Sequence, residues 1–318
     1  MQDEDLSKLR SKMRKEVAAL SRNARVAIVG WTPVAIELAS DLVFITGRAS
    51  LTGIYADRAE DGAAVRPLQA LQVDLPDIVV VAEDDGKEAL LEAAANYLPA
   101  TTKMLIGGFG HFNFKDDVFD RIRQSSLIPS FANGYANSLI HIYQCLQNAH
   151  RLGLKGAVAE FGMFKGGTTM LISRFIEEIG ADWKVFGFDT FEGFPPKRSP
   201  LDMYAHPDCV FRDVAMVRAM FTARNVEIVE GDVVTTVDRL RGHNLVVSFV
   251  DTDNFTSAKA AVDIVREQTV RGGAIVFDHW TGVDRHLDTI GERIAAKVVA
   301  GDDRYFNLHG TGVFLRMQ

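Results

Sequence analysis

AVAEFGMFKGGTT, at residues 157–169, is the stretch that decides the fold. Its first five residues are apolar apart from Glu160 and predict a buried strand, and the glycines after them predict a tight turn. Apolar residues then recur at helical spacing from 171 to 179, which predicts a helix. A strand, a glycine-rich turn and a helix in this order are typical of a parallel α/β sheet. Such a turn lets backbone approach a ligand, and the helix N-terminus offers N–H groups to a carboxylate or phosphate.

Four further predicted strands each end in an acid. They are strand 185–188 before Asp189, strand 226–229 before Glu230, Gly231 and Asp232, strand 245–250 before Asp251, and strand 274–277 before Asp278 and His279. Ligands of doubly wound sheets bind at the carboxyl ends of strands, so these acids are predicted to share a site. Asp189 is suited to accept from ribose hydroxyls, and Asp232 from an exocyclic amine of adenine. A single strand-end acid is more commonly a helix cap, but four at one edge favour a ligand site.

Two of these segments resemble a known family. Residues 159–167, AEFGMFKGG, and 188–196, FDTFEGFPP, are similar to the motifs of the macrocin O-methyltransferase (TylF/MycF) family. The similarity continues through 231–236, 251–255 and 272–279 and covers the chain from about residue 134 onward. The resemblance implies an S-adenosylmethionine-dependent class I methyltransferase that acts on oxygen.

The resemblance also implies a fold and a set of cofactor contacts. The fold is a seven-stranded doubly wound α/β sheet with a reversed last strand, and segments 305–308 and 313–316 are suited to its terminal hairpin. The implied S-adenosylmethionine-binding residues are Glu160, Gly162, Phe164, Lys165, Gly166, Gly167, Thr168, Asp189, Thr190, Phe191, Gly231 and Asp232.

Members of the family bind a divalent metal, usually magnesium, at positions that here are Asp251, Asp278 and His279. His279 departs from the family pattern, as does Phe255, where the family has tyrosine. An imidazole suits manganese or iron better than magnesium, so the metal could be any of the three. The alternative is a metal-free enzyme in which His279 is the general base. Asp251 and His279 are the predicted catalytic residues under these two interpretations.

The chain before the resembling segment predicts two further parts. Residues 1–21 form an amphipathic helix, for which packing on the adjacent domain is favoured over a dimerisation seam. Residues 22–127 alternate strands and helices as in a small Rossmann-like α/β domain, and the methyltransferase domain is 128–318 with a link at 128–134. The turn Gly30-Trp31-Thr32-Pro33 lacks the glycines of a dinucleotide fingerprint, which favours a structural or substrate-recognition role.

Composition limits the partners. The net charge of -7 disfavours a nucleic-acid ligand, and no stretch has the length and apolar character of a membrane span. Cys145 and Cys209 form no metal or redox motif. We therefore expect a cytoplasmic protein, a homodimer, with a small hydroxylated acceptor such as a sugar or natural-product intermediate.

Two other function classes stay open at this point. One is an NAD(P)-dependent oxidoreductase, although the glycine fingerprint of that class is missing from this sequence. The other is a catalytically silent cofactor-binding module.

The long segment 195–211 is predicted to be a lid over the acceptor, with an ordinary surface loop as the alternative.

Overall fold

The computed structural model describes residues 1–57, 65–132, 134, 137–281 and 287–318. The chain divides into two compact units, Met1–Phe114 and Lys115–Gln318. Among the helices of these described ranges, none is both long enough and apolar enough to cross a membrane.

The first unit contains a five-stranded parallel sheet among its described residues, in the order β3-β2-β1-β4-β5. This is the Rossmann-like arrangement that the sequence predicts. Its strands are β1 (Ala24–Val29), β2 (Ala49–Ala56), β3 (Val65–Pro67), β4 (Ile78–Val81) and β5 (Lys103–Leu105). Its helices are α1 (Asp3–Ala19), α2 (Pro33–Ala39), α3 (Leu42–Ile45), α4 (Leu71–Asp74) and α5 (Lys87–Ala95).

Helix α1 packs on this sheet with one face. Leu6, Leu9, Met13 and Val17 are buried and belong to the same apolar cluster as residues of β1 and β4. The favoured interpretation of α1 as a packing helix is thereby confirmed, because the apolar stripe that could form a coiled-coil seam is already covered. The homodimer stays a prediction.

The second unit contains a seven-stranded sheet in its described part, in the order β11-β12-β10-β9-β6-β7-β8. Strand β12 is antiparallel to both β10 and β11, so the predicted reversed strand and terminal hairpin are confirmed. The strands are β6 (Ala157–Phe161), β7 (Lys184–Asp189), β8 (Val226–Glu230), β9 (Leu245–Val250), β10 (Thr269–Phe277), β11 (Tyr305–Asn307) and β12 (Val313–Arg316). The helices are α6 (Asp117–Gln124), α7 (Ser138–Arg151), α8 (Gly167–Glu178), α9 (Val214–Met220), α10 (Val233–Thr236), α11 (Phe255–Gln268) and α12 (Ile290–Ala300).

Helix α6 lies in the second unit, although the sequence prediction placed residues up to 127 in the first domain. The ring of Phe119 stacks on Phe175 of α8 at 5.6 Å between centroids and contacts Tyr143 of α7. The hydroxyl of Tyr143 also donates to Asp116, the N-cap of α6, at 2.9 Å. These contacts join α6 to helices α7 and α8 of the second unit. No local sequence pattern predicts them.

The register of the parallel strands decides where the site forms. All residues of β6 and β9 are buried, as expected for strands covered on both faces. Phe161 pairs with Phe188 and with Val250, and Val250 pairs with Phe277. The residues that follow these pairs therefore leave the sheet side by side at one edge.

Candidate active site

The glycine turn after β6 is shaped by close backbone approach. Gly162 has φ +89°, and a Cβ on it would lie 2.0 Å from the carbonyl oxygen of Asp251. No larger residue fits at this position, so the turn and the end of β9 are held against each other. Phe164 also adopts a left-handed φ of +49°, which aims its backbone N–H at Asp189.

Asp189 organises the same turn from β7. Its Oδ2 accepts from the N–H of Phe164 at 2.8 Å, and its Oδ1 accepts from the N–H of Phe191 at 2.6 Å. Burial raises the pKa of Asp189 while these backbone hydrogen bonds lower it, with a net rise. A carboxylate offers about four acceptor positions, so both oxygens keep capacity for a ligand's hydroxyls.

Glu160 lies beneath the turn and has a different role. It is fully buried in β6, and Oγ1 of Thr169 in α8 donates to its Oε2. Burial raises the pKa of Glu160 to about 8, with the hydrogen bond from Thr169 acting in the opposite direction. Its carboxyl group therefore connects β6 to the first turn of α8.

A cavity of about 1330 Å³ opens at this edge of the sheet. The predicted cofactor residues that line it are Gly162, Phe164, Lys165, Asp189 and Thr190. The remaining predicted cofactor residues do not appear in its wall: Glu160, Gly166, Gly167, Thr168, Phe191, Gly231 and Asp232. The three predicted metal ligands Asp251, Asp278 and His279 all line the same cavity.

Asp232 is occupied by structural contacts. Its Oδ1 caps α10 through the N–H of Val234 at 3.0 Å, and its Oδ2 pairs with Arg198 at 2.7 Å. The adjacent Val233 lines the cavity instead. The contact of Asp232 with adenine stays a prediction.

An acid and imidazole cluster forms where β9 and β10 end. Asp251, Asp278 and His279 can each place one donor atom within 4.8 Å of the others. Nε2 of His279 lies 3.5 Å from Oδ1 of Asp251, 3.8 Å from Oδ2 of Asp278 and 3.0 Å from Oδ1 of Asp253. We refer to Asp251, Asp253, Asp278 and His279 as the cluster.

The electrostatics of the cluster are those of crowded, buried carboxylates. Burial and the charge of Asp278 raise the pKa of Asp251 well above its usual range. Burial raises the pKa of Asp278 as well, against the opposing charge of His279. Burial lowers the pKa of His279, but hydrogen bonds to Asp251 and Asp253 outweigh it and raise that pKa to about 12. The cluster contains three carboxyl groups and one imidazole, so negative charge is in excess when all four groups are ionised.

The donor set fits a divalent cation. Two carboxylates and one imidazole nitrogen converge from adjacent strand ends, and a cation among them would offset the surplus negative charge. Oδ1 of Asp278 accepts from the N–H of Gly134 at 2.8 Å, which orients this carboxylate. The nitrogen ligand favours manganese or iron over magnesium.

The sequence interpretation missed three contributors to the site. Asp253 adopts a left-handed φ of +59° and contacts His279 directly. Glu292 of α12 is fully buried and accepts backbone N–H groups from both strand-end loops. The predicted link 128–134 borders the cavity through Phe131 and Gly134. Only Asp253 had a local signal, as the second acid of the Asp251-Thr252-Asp253 triplet.

The first half of the predicted lid is fastened to α11. Asp202 accepts from three backbone N–H groups, those of Arg198, Ser199 and Thr256. Asn254 and the backbone of Tyr204 exchange two hydrogen bonds of 2.9 and 3.0 Å. Tyr204 and the following Asp208 and Cys209 line the cavity. The lid function of segment 195–211 stays a prediction.

Comparisons with known proteins find one matching family model and several similar solved structures. A family model described as macrocin-O-methyltransferase (TylF) matches residues 121–316. The O-methyltransferase NovP is 20% identical over 57% of this chain and 79% of its own, with a TM-score of 0.47. The calicheamicin methyltransferase CalS11 is 20% identical over 65% of this chain and 95% of its own, with a TM-score of 0.46. Likeness at this level says nothing about the acceptor. No curated protein matches the sequence.

Proposed function

The chain belongs to the macrocin-O-methyltransferase (TylF) family and is an S-adenosylmethionine-dependent O-methyltransferase, and we propose that it methylates a hydroxyl of a sugar or natural-product intermediate with the help of a divalent metal. The observation that supports the metal is the convergence of Asp251, Asp278 and His279 at one wall of the cavity. The turn from Gly162 to Lys165 and the carboxylate of Asp189 form the neighbouring wall, at the ends of β6 and β7.

The size and the lining of the cavity bear on the acceptor. Its volume of about 1330 Å³ exceeds the roughly 300–1,000 Å³ of a typical small-molecule pocket, which leaves room for cofactor and acceptor together. Leu287 and Ile290 line it with exposed apolar side chains, while the cluster provides the polar end. An acceptor with adjacent hydroxyl groups on a partly apolar body matches this lining.

In the proposed mechanism, S-adenosylmethionine would supply the methyl group and leave as S-adenosylhomocysteine when its methyl–sulfur bond breaks. Asp251, Asp278 and His279 would hold a metal, which would supply Lewis acidity toward the acceptor hydroxyl. Asp189 would bind the ribose hydroxyls and the Gly162–Lys165 turn the methionine part. The cluster orients the acceptor oxygen toward the methyl group, and a carboxylate of the cluster takes the hydroxyl proton as the oxygen–methyl bond forms. Segment 195–211 would exclude water from the same space.

A second candidate mechanism needs no metal. Oδ1 of Asp253 lies 3.0 Å from Nε2 of His279, and a carboxylate that orients an imidazole is typical of a general base. In this case His279 would take the proton of the acceptor hydroxyl with its other ring nitrogen. This requires a neutral imidazole, whereas the pKa of about 12 favours the protonated ring.

Transfer of a radiolabelled methyl group to a panel of sugars, glycosides and catechols tests the proposal. We expect transfer that EDTA abolishes and that Mn²⁺ or Fe²⁺ restores at least as well as Mg²⁺. Asp251→Asn should lower the transfer rate by about 100-fold or more, the scale of a lost acid–base or metal contact, while S-adenosylhomocysteine still binds. Transfer that EDTA leaves unchanged would favour His279 as base. Full activity in Asp251→Asn would exclude the metal mechanism, in which Asp251 is a ligand.

A further inference from the structure

Glu292 connects the two loops that form the cluster. Its Oε2 accepts from the N–H of Thr252 at 2.9 Å and of Asp253 at 3.1 Å, and its Oε1 accepts from the N–H of His279 at 3.1 Å. Thr252 and Asp253 follow β9, and His279 follows β10. One side chain thus holds the backbone next to every member of the cluster.

The chemistry of Glu292 is specific to a carboxylate. Three N–H donors point at one fully buried side chain, and an ionised carboxylate is acceptor-only, with capacity for all three. A glutamine would offer one acceptor oxygen and turn an NH₂ donor toward an N–H group. Burial raises the pKa of Glu292 to about 7, with the charges of Asp253 and Asp278 acting in the same direction and that of His279 opposing them. An apolar core would not need so costly a group.

The surroundings fix Glu292 in place. A Cβ on the preceding Gly291 would lie 2.4 Å from the carbonyl oxygen of Leu201 and 2.9 Å from the nitrogen of Phe255. The first turn of α12 is therefore seated against the start of α11. The loop after β9 also contacts Gly162 of the turn after β6. This loop therefore lies between that turn and the side chain of Glu292.

We propose that Glu292 is the positioning residue of the cluster, which sets the separation of Asp251, Asp278 and His279 that a metal requires. Glu292 does not line the cavity in the part of the chain that the structure describes, so it acts through the loops and not on a ligand. This inference rests on the proposed function. Its physical basis is that outer groups which orient metal ligands commonly change metal affinity by about 10- to 100-fold when removed.

Asp202 offers a matched control. It is also a buried carboxylate that accepts three backbone N–H bonds, from Arg198, Ser199 and Thr256, but none of these belongs to the cluster loops. Glu292→Gln and Asp202→Asn therefore remove the same kind of interaction in the same unit. Both should lower the thermal unfolding temperature, whereas only Glu292→Gln should change the metal site.

The test measures Mn²⁺ binding by electron paramagnetic resonance and S-adenosylhomocysteine binding by calorimetry, on the full chain. We expect Glu292→Gln to weaken Mn²⁺ binding by about 10- to 100-fold and to change S-adenosylhomocysteine binding less than threefold, with Asp202→Asn close to wild type for Mn²⁺. Equal Mn²⁺ affinity in wild type and Glu292→Gln would overturn the positioning role, as would an equal loss in Asp202→Asn. A wild type that binds no Mn²⁺ would overturn the metal in the proposed function and this inference with it.

A shorter carboxylate keeps the test decisive if Glu292→Gln does not fold. Glu292→Asp retains the charge and the acceptor oxygens but withdraws them by one methylene group, so it cannot reach both loops at hydrogen-bond distance. We expect a folded protein whose Mn²⁺ affinity is measurably lower than that of wild type, by up to about tenfold. Wild-type Mn²⁺ affinity in folded Glu292→Asp would contradict the inference.

Discussion

The two sheets of this chain have parallel strands that end in similar turns, yet the polar groups of these turns are used differently. In the first unit, Asp84 after β4 accepts from the N–H of Gly110 at 2.8 Å and pairs with the buried Lys87 at 2.9 Å. Lys87 in turn donates to the carbonyls of Gly107 and Gly108. In the second unit, Asp189 and Asp251 face a cavity of about 1330 Å³.

The same contrast holds for the first turn of each sheet. After β1, Oγ1 of Thr32 donates to the carbonyl of Ala82 at 2.6 Å and caps α2 through Ala35. This hydroxyl ties β1 to the loop after β4, at the point where a doubly wound sheet would admit a ligand. After β6, the turn instead presents Phe164 and Lys165 to the cavity. Topology alone therefore does not make a binding site. A site also needs polar groups at the strand ends that face a cavity.

The strongest way to break this comparison is to remove one acid that follows a strand from each sheet. Asp189→Ala should weaken S-adenosylhomocysteine binding by about 1–3 kcal/mol, the scale for losing hydrogen bonds to a charged group. Asp84→Ala should leave that binding unchanged and lower only the stability of the first unit, because its carboxylate serves Lys87 and Gly110. Calorimetric titration and urea unfolding of both variants measure these effects.

An additional control separates ligand contact from loop support, since Asp189 also accepts from Phe164 and Phe191. Asp189→Asn can satisfy one of the two N–H groups and should lose less affinity than Asp189→Ala. If Asp84→Ala weakened the ligand as much as Asp189→Ala, the contrast between the two sheets would be wrong.

The sequence predicts the strands and their ends because both depend on local patterns. Strands β6 and β9 are short and apolar apart from Glu160 and Ser248, and each is followed at once by a glycine or an acid. The order of such segments, together with the terminal hairpin, defines the sheet. The predicted convergence of Asp251, Asp278 and His279 follows from that order, because neighbouring parallel strands end at the same edge.

The sequence does not predict which side chains support the site, because their partners are distant. Glu292 bonds to a residue 40 positions away, and Gly134 bonds to Asp278 across 144 positions. Asp232 shows the opposite case, since its strand-end position suggested a ligand contact and the structure uses it as a helix cap paired with Arg198. A local pattern gives each side chain's chemistry but not its competing partners.

Glu160 provides a second, weaker test, through pH. Its pKa of about 8 in the folded protein exceeds the ordinary 4.5, so between these values the folded state keeps a proton that the unfolded state loses. Wild-type stability should therefore fall as pH rises from about 5 to 8, by at most about 1.4 kcal/mol per pH unit from this residue. Glu160→Gln keeps an acceptor for Thr169 and should lack this component. Urea unfolding of both proteins at several pH values measures the difference, and parallel curves would contradict it.

The smallest expected effect concerns Thr32, in the turn after β1 of the first sheet. It tests whether this turn has only a structural role. Thr32→Val removes the cap of α2 and the bond to Ala82 while preserving shape, so the free energy of unfolding should fall by about 1 kcal/mol. Thr32→Ser keeps the hydroxyl and should lose less. Hydrogen exchange should quicken in α2, with S-adenosylhomocysteine affinity unchanged in both variants. A loss of that affinity in Thr32→Val alone would mean that the first turn takes part in cofactor binding, because Thr32→Ser retains the hydroxyl group that Thr32→Val lacks.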